Sequence, residues 1–225
     1  MLHRTCLAMA VSLGTVLAGA GTVPAAQAMS QMSQTSQNSQ ISQISQVSRM
    51  PGSASWSRPS AKAVIKDTAG RNVGFLRIDH GPDDKSRLSV SVTGLPAGYH
   101  GFHIHMKGVC DPRAIDPVTR SPFSSAGAHF TIHPARHSGH SGDLPNLLVA
   151  EDGTGEATVV TDRFRVEQLF DGDGSSVIVH ALPDNHSNIP DRYSHPGGGT
   201  GPDAETLKAG DSGGRVACGV ITRNQ

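Results

Sequence analysis

Gly101-Phe102-His103-Ile104-His105 is the stretch that decides the fold and the chemistry predicted for this chain. In a β-strand, alternate side chains lie on the same face. The two imidazoles therefore share one face, while Phe102 and Ile104 point into a core. Two neutral imidazoles on one rigid face form half of a copper or zinc site. The stretch thus predicts a β-rich fold that carries a metal site on one strand.

Further candidate ligands lie downstream of this strand. His180 ends an apolar run at 177–180, where a lone histidine is more often a core or rim residue than a ligand. The histidine pair on the first strand makes the ligand interpretation stronger. A second group follows the flexible residues 124–127 and lies within 15 residues: His129, His133, His137, His140 and Asp143. Such a group is more typical of a coordination loop than of solvated side chains.

Short apolar or alternating segments predict about eight β-strands. They are 61–66, 73–78, 88–92, 102–105, 147–150, 157–161, 177–180 and 216–221. Turn sequences at 68–71 and 152–155 predict hairpins, and a short helix is predicted around 166–170. With 26 glycines, 14 prolines and 4% aromatic residues, the chain is predicted to form an all-β antiparallel barrel or sandwich. The segments 106–146 and 181–214 lack a strand pattern and are predicted to be long functional loops.

The charge balance argues against two classes of partner. The chain carries 19 Lys plus Arg and 19 Asp plus Glu. Proteins that bind nucleic acids or membrane surfaces usually carry a basic excess, so neither partner is predicted. No segment beyond the N-terminal region is long and apolar enough to span a bilayer. Any steering of a charged substrate must therefore come from local charges.

The N-terminal region has the pattern of an export signal. A short basic start with His3 and Arg4 precedes an apolar run at 6–20, and Ala26-Gln27-Ala28 has the small-x-small pattern of a cleavage site. We predict a signal peptide at 1–28 that is cleaved after Ala28, and a secreted, extracellular protein. An uncleaved membrane anchor is the alternative.

The next segment predicts a spacer before one folded domain. Residues 30–47 repeat a Ser-Gln tripeptide six times, and such runs bury too little apolar surface to offset chain entropy. Residues 29–57 are predicted to be a disordered linker, with a stalk that holds the domain off the cell wall as the alternative. Residues 58–225 are predicted to form one domain of ordinary size.

The cysteines predict one disulfide. Cys6 leaves with the signal peptide, so Cys110 and Cys218 remain. An even count in an exported protein favours a bond between them, and two free buried thiols are the alternative.

Four motifs in this order resemble the copper/zinc superoxide dismutases, most of all their exported bacterial branch. They are Gly101-Phe102-His103-Ile104-His105, Ser125-Ala126-Gly127-Ala128-His129-Phe130, His140-Ser141-Gly142-Asp143-Leu144 and Gly214-Arg215-Val216-Ala217-Cys218-Gly219-Val220-Ile221. The resemblance covers about residues 60–225 and implies an eight-stranded Greek-key β-barrel.

The resemblance implies a role for each site residue. Copper is expected at His103, His105, His129 and His180, and zinc at His129, His137, His140 and Asp143. His129 then bridges both metals. Asp184 is expected to tie a copper histidine to a zinc histidine, and Cys110 and Cys218 match the family disulfide. Arg215 matches the arginine beside copper.

The implied activity converts superoxide to dioxygen and hydrogen peroxide by alternate reduction and reoxidation of copper. Arg215 is expected to attract the anion. His129 is expected to leave the reduced copper, take up a proton and return it to the second substrate. The sequence does not give the oligomeric state, and a homodimer is one possibility. The alternative is a non-catalytic copper-binding or copper-delivery domain on the same fold. Such domains typically lose a copper ligand or the arginine, and both are present here.

The zinc loop departs from the family pattern. Only Ser138 and Gly139 separate His137 from His140, whereas the family usually has a longer insert there. Three outcomes stay open. Both histidines reach one ion, His133 replaces one of them, or zinc is weak or absent.

Overall fold

Alternating burial along the strands separates an apolar interior from a solvent-facing side. A computed structural model describes residues 61–224 of the protein. Strand β1 (Ala61–Asp67) buries every second residue, from Ala61 to Asp67. Strand β3 (Ser86–Val92) buries its alternate residues in the same way, because successive side chains of a strand point to opposite faces. Both strands therefore cover the core with one face only.

Ten strands lie within the described residues. The other eight are β2 (Asn72–His80), β4 (Gly98–His100), β5 (Phe102–His105), β6 (Leu147–Val149), β7 (Gly155–Thr161), β8 (Ser176–His180), β9 (Arg215–Val220) and β10 (Thr222–Arg223). Short 3₁₀ helices occupy Pro82–Asp84, Ser124–Ala126 and Val166–Leu169, and the α-helix α1 spans Thr206–Ala209. The eight predicted strands and the short helix near 166–170 are all present. Strands β4 and β10 and helix α1 were not predicted.

The strands form one large antiparallel sheet and one small one. The large sheet has the order β5-β8-β9-β1-β2-β3-β7, with β10 paired to β1, and the small sheet pairs β4 with β6. Strand β4 continues into β5 after Gly101, and β6 contacts β7. The small sheet thus joins the two edges of the large one. Because β3 pairs with β7 rather than with β4, the chain crosses over as in a Greek key. The predicted antiparallel Greek-key barrel is confirmed.

The apolar core fills the space between these strands. Its largest fully buried side chains include Ile65, Leu76, Ile78, Leu88, Phe102, Ile104, Leu147, Phe164 and Leu169. A smaller cluster packs Phe123 and Ala126, from the loop that follows β5, against Ile178 of β8 and Cys218 of β9. The core therefore supports β5 from behind and leaves its histidines on the other side.

A disulfide joins the loop after β5 to strand β9. It links Cys110 to Cys218 with their Cα atoms 5.7 Å apart, as the cysteine count predicted. The bond closes a loop with a sequence separation of 108 residues, and Cys218 is buried beside Phe123 and Ile178. The long loop is therefore fixed to the sheet near the end of β5.

The predictions for the N-terminal region lie outside the described residues. These are the signal peptide at 1–28, the linker at 29–57 and the start of the domain predicted for 58–225. Among residues 61–224, no helix combines the length and the apolar character that a bilayer span requires.

Removing the disulfide is expected to destabilise the folded domain. Because the closed loop is long, the chain-entropy model predicts that the Cys110→Ala/Cys218→Ala double variant loses about 4–5 kcal/mol of unfolding free energy. Urea unfolding of the oxidised wild type and of the double variant measures the difference. Wild type with the bond reduced by dithiothreitol is the control and should resemble the variant. Equal midpoints for all three proteins would contradict the prediction.

Candidate metal centre

Strand pairing places three histidines at one end of the barrel. All four residues of β5 are buried, and His103 and His105 face the same side. Strand β8 pairs with β5 so that Ile178 lies opposite His103. His180 follows at the end of β8, where the register with β9 shifts after Val179. The imidazole of His180 therefore joins the two imidazoles of β5.

The loop after β5 returns along that strand and adds further candidate ligands. His129 lies opposite His105, and Asp143 lies opposite His103, in isolated antiparallel bridges. The Phe130 amide donates to the Ile104 carbonyl at 2.8 Å, and the Ile104 amide donates to the Gly142 carbonyl at 3.0 Å. A Cβ at Gly142 would overlap the Ile104 carbonyl, so the close approach requires glycine. The strand thus aligns ligands from both sides of the loop.

Four imidazoles converge on one point. His103, His105, His129 and His180 are buried, and each offers a ring nitrogen within 4.8 Å of the others. Within the described residues, His103 Nδ1, His105 Nε2 and His180 Nε2 have no hydrogen-bond partner although they are buried. An unsatisfied buried polar atom costs about 1–3 kcal/mol. Converging unpaired nitrogens therefore fit a copper ion, which prefers such ligands.

Hydrogen bonds on the opposite ring nitrogens fix these orientations. His105 Nδ1 donates to the Gly127 carbonyl at 3.0 Å, and His180 Nδ1 donates to the Gly213 carbonyl at 3.1 Å. His103 Nε2 donates to Asp184 Oδ2 at 2.8 Å. Each bond holds the proton on the outer nitrogen, so the inner nitrogen keeps its lone pair for a metal.

Burial keeps these rings neutral. It lowers the pKa of His103, and it lowers the pKa values of His105 and His180 well below the ordinary value. Burial also lowers the pKa of His129 to about 4, although Asp143 acts in the opposite direction. At neutral pH all four imidazoles can bind a metal without first losing a proton from a cationic ring.

A second group of ligands surrounds the Asp143 carboxylate. His129 Nδ1 lies 2.7 Å from Asp143 Oδ1, His137 Nδ1 lies 3.1 Å from the same oxygen, and His140 Nδ1 lies 3.2 Å from Oδ2. These four residues also form a candidate cluster within 4.8 Å. Three imidazoles and one carboxylate are a donor set that suits tetrahedral zinc. His129 belongs to both groups.

The short spacer does not keep the two zinc-loop histidines apart. The ring centroids of His137 and His140 are 5.7 Å apart, and both Nδ1 atoms face Asp143. His133 is exposed and belongs to none of the candidate clusters of the described residues. Of the three outcomes left open by the sequence, the geometry favours His137 and His140 at one ion.

Asp184 connects the two groups. Its Oδ2 accepts from His103 Nε2 at 2.8 Å, and its Oδ1 accepts from His137 Nε2 at 2.8 Å. Asn146 holds the Asp184 backbone through two hydrogen bonds of 2.8 Å. Gly210, with φ +59°, packs so closely that a Cβ would overlap the carboxylate. Asp184 is therefore fixed between one histidine of each group.

The zinc-side charges are strongly coupled. Burial alone would lower the pKa of His137, but the carboxylates of Asp143 and Asp184 outweigh it and raise that pKa to about 9. Burial alone would raise the pKa of Asp143, but His129 and His137 outweigh it and hold it far below the ordinary value. The pKa of Asp184 is lowered in the same way by His103 and His137. The metal-free site thus contains an imidazolium between two carboxylates.

Arg215 is fixed beside the copper-facing histidines. Its Nη1 donates to the Phe123 carbonyl and its Nη2 to the Gly127 carbonyl, both at 2.6 Å. The Gly127 carbonyl also accepts from His105 Nδ1, so one oxygen orients both side chains. Burial lowers the pKa of Arg215, but a guanidinium stays charged at neutral pH.

A solvent-open cleft leads to this arginine. Its volume is about 490 Å³, and His129, His180 and Arg215 lie along it. Four further charged residues line the cleft: Asp116, Glu205, Lys208 and Asp211. A small anion can therefore reach the copper-facing histidines past a fixed positive charge.

The structure brings together every site residue that the sequence predicted. It also reveals Asn146 and Gly210, which lie outside the four motifs, and the hydrogen bonds that the Gly127 carbonyl accepts. His100 belongs to none of the candidate clusters of the described residues. Its ring nitrogens lie 2.6 Å from the His180 carbonyl and 2.8 Å from the Pro96 carbonyl.

Known proteins resemble this chain in sequence and fold. The family profile for copper/zinc superoxide dismutase matches residues 73–221. A superoxide dismutase [Cu-Zn] of Mycolicibacterium paratuberculosis is 46% identical over 175 residues, which cover 75% of this chain and 77% of the relative. One of Deinococcus radiodurans is 32% identical over 177 residues, with coverages of 75% and 87%. The solved Cu/Zn superoxide dismutase from Brucella abortus is 28% identical, with a TM-score of 0.56 and coverages of 72% and 99%.

Zinc binding to the metal-free protein is expected to release about one proton at pH 7.5. The His137 pKa of about 9 means that its ring is protonated there, and coordination through Nδ1 must displace that proton. Zinc affinity should rise with pH and level off as pH passes the His137 pKa. Calorimetric titration with zinc alone, in buffers of different ionisation enthalpy, counts the protons.

His137→Ala is the control, and it should bind zinc more weakly and release less. A proton release near zero at pH 7.5, or an affinity that does not change with pH, would contradict the assignment of the proton to His137.

Proposed function

Because the chain belongs to the copper/zinc superoxide dismutase family, we propose that its two histidine groups are the copper and zinc sites. The enzyme is a superoxide dismutase that converts superoxide to dioxygen and hydrogen peroxide, with copper and zinc as cofactors. Copper is held by His103, His105, His129 and His180. Zinc is held by His129, His137, His140 and Asp143. The main support for this assignment is that buried ring nitrogens without hydrogen-bond partners converge beside Arg215.

Arg215 binds and orients the substrate. Superoxide is a small anion, and the guanidinium lies on the cleft that leads to His129 and His180. Two carbonyl oxygens hold the guanidinium in place, so its charge is already in position when the anion arrives. Arg215 therefore raises the local concentration of superoxide at the copper site.

His129 holds and moves a proton. When bound, copper supplies the one-electron chemistry that oxidises one superoxide to dioxygen and reduces a second to peroxide. His129 Nε2 takes up one proton after the first half-reaction and gives it to the second substrate. Peroxide needs a second proton to become hydrogen peroxide, and solvent in the cleft supplies it. The Nδ1 side of the ring faces Asp143, and the zinc ion proposed there would keep the ring in place meanwhile.

Asp184 and Asn146 position the sites without touching the substrate. Asp184 keeps a proton on Nε2 of both His103 and His137, so that both Nδ1 atoms face the proposed metal sites. Asn146 fixes the Asp184 backbone. No observation favours the non-catalytic copper carrier, and a carrier has no need of an oriented guanidinium at the site.

We also propose that the enzyme is exported. Residues 1–28 would be a signal peptide, 29–57 a linker, and 58–225 the enzyme domain. The disulfide between Cys110 and Cys218 supports this proposal, because such bonds persist in oxidising compartments outside the cytoplasm. The homodimer stays a prediction, since no interface can be assigned from one chain.

Metal analysis and superoxide decay test the proposed copper site. The mature protein loaded with both metals should contain about one copper per chain, because the four imidazoles form one site. It should remove superoxide rapidly, as measured by stopped-flow absorbance. The His105→Ala variant is the comparison and should lose most of both copper and activity. A fully active His105→Ala protein, or wild type that takes up no copper, would contradict the site.

Replacing Arg215 is expected to weaken the attraction of superoxide and to leave the metal content unchanged. Arg215→Gln should lower the second-order rate constant for superoxide at low salt by about tenfold or more, because a focused positive charge is lost. The rate should also depend less on ionic strength. Arg113→Gln, which alters an exposed arginine paired with Asp111, is the matched control. Unchanged salt dependence in Arg215→Gln would argue against substrate steering by this residue.

A further inference from the structure

We propose that Arg163 is a positioning residue that clamps the short loop between two zinc ligands. Its Nη1 donates to the Ser138 carbonyl at 2.8 Å and to the His140 carbonyl at 3.2 Å. These carbonyls lie on either side of Gly139. The proposal rests on the zinc ligands proposed above, since it assigns Arg163 the task of keeping His137 and His140 in register.

The loop is tightly folded and has few residues to hold itself in shape. Two residues separate the ligands His137 and His140. The Gly139 amide donates to the Arg136 carbonyl at 2.7 Å, and the Asp143 amide donates to the His140 carbonyl at 3.2 Å. These bonds close each turn locally. The bonds from Arg163 are the ones that span the spacer from one turn to the next.

Arg163 reaches the loop from a rigid support. It follows strand β7 by two residues, and its amide donates to Thr161 Oγ1 at 3.2 Å. Strand β7 pairs with β3 along its whole length, from Ser86 opposite Thr161 to Val92 opposite Gly155. On the other side, the His137 amide donates to the Leu207 carbonyl of α1 at 3.1 Å. The zinc loop is thus held between α1 and the end of β7.

The clamp acts on the zinc side of the centre. Arg163 lies on a cleft of about 420 Å³ that also contains Ser138, Asp143 and His186. None of the four proposed copper ligands lines this cleft. Replacing Arg163 should therefore change zinc binding and leave copper binding unchanged, which makes copper content an internal control.

The charge of Arg163 and its hydrogen bonds to the loop are expected to change zinc affinity in opposite directions. A guanidinium near a cation site repels zinc, so removing its charge would by itself tighten zinc binding. Losing two charge-assisted hydrogen bonds frees the loop and would weaken binding. The direction of the change in zinc affinity therefore separates a positioning residue from a surface arginine that only lies nearby.

Zinc titration of the metal-free mature protein tests the clamp. A competing chromophoric chelator gives the dissociation constant, and cobalt absorption reports the geometry of the ligand set. For Arg163→Gln we expect zinc affinity about tenfold weaker, which corresponds to 1.4 kcal/mol, and a weaker tetrahedral cobalt band. Copper content should equal that of wild type. Arg165→Gln, which alters an exposed arginine paired with Asp84, is the matched control and should match wild type.

The possible results separate a failure of the proposed zinc site from a failure of the clamp alone. If wild type takes up no zinc, the zinc site itself is wrong and the clamp is overturned with it. If wild type binds zinc and Arg163→Gln binds it equally or more tightly, the clamp alone is overturned. Equal losses in Arg163→Gln and Arg165→Gln would also overturn it. Melting of the metal-free variants establishes that they fold, as expected for replacements of exposed side chains.

Discussion

The carboxylate of Asp184 is the constraint on which the two metal sites depend. It accepts one hydrogen bond from His103 and one from His137. Each bond holds a proton on the Nε2 side of its ring, and so turns Nδ1 toward the proposed metal site. Asp184 is itself fixed by Asn146 and by the close approach of Gly210. Residues far apart in sequence thus set the coordination geometry before any metal binds.

His129 couples the two sites in a different way. Its ring lies within reach of the copper-facing histidines on one side and of Asp143 on the other. The same imidazole therefore belongs to both proposed sites. The metal-free centre balances an imidazolium at His137 against two ionised carboxylates. The metal-free centre thus already places a positive charge between the two carboxylates, at the position where we propose that zinc binds.

Much of this centre could be predicted because its ligands follow local rules. Alternation in β5 places His103 and His105 on one face, and the loop motif around His129 and Asp143 carries its own spacing. Eight strands showed apolar or alternating patterns, and they include β6, which has only three residues. Strand β4 (Gly98–His100) and the two-residue strand β10 (Thr222–Arg223) show neither pattern.

The remaining contacts depend on tertiary approach. The bonds of Asn146 to Asp184 span a sequence separation of 38 residues, and those of Arg163 to the zinc loop span 23 and 25 residues. Such bonds exist only because β7, α1 and the long loops meet in space. The sequence also left open whether the two-residue spacer would let His137 and His140 share an ion. Backbone geometry, which a motif does not encode, brings both Nδ1 atoms to the Asp143 carboxylate.

The most direct test is a crystal structure of the protein loaded with both metals, with diffraction measured at the copper and zinc absorption edges. We expect a copper peak that is coordinated by His103 Nδ1, His105 Nε2, His129 Nε2 and His180 Nε2. We also expect a zinc peak bonded to the other nitrogen of His129. A copper peak elsewhere, or a His129 ring that contacts neither metal, would contradict the account.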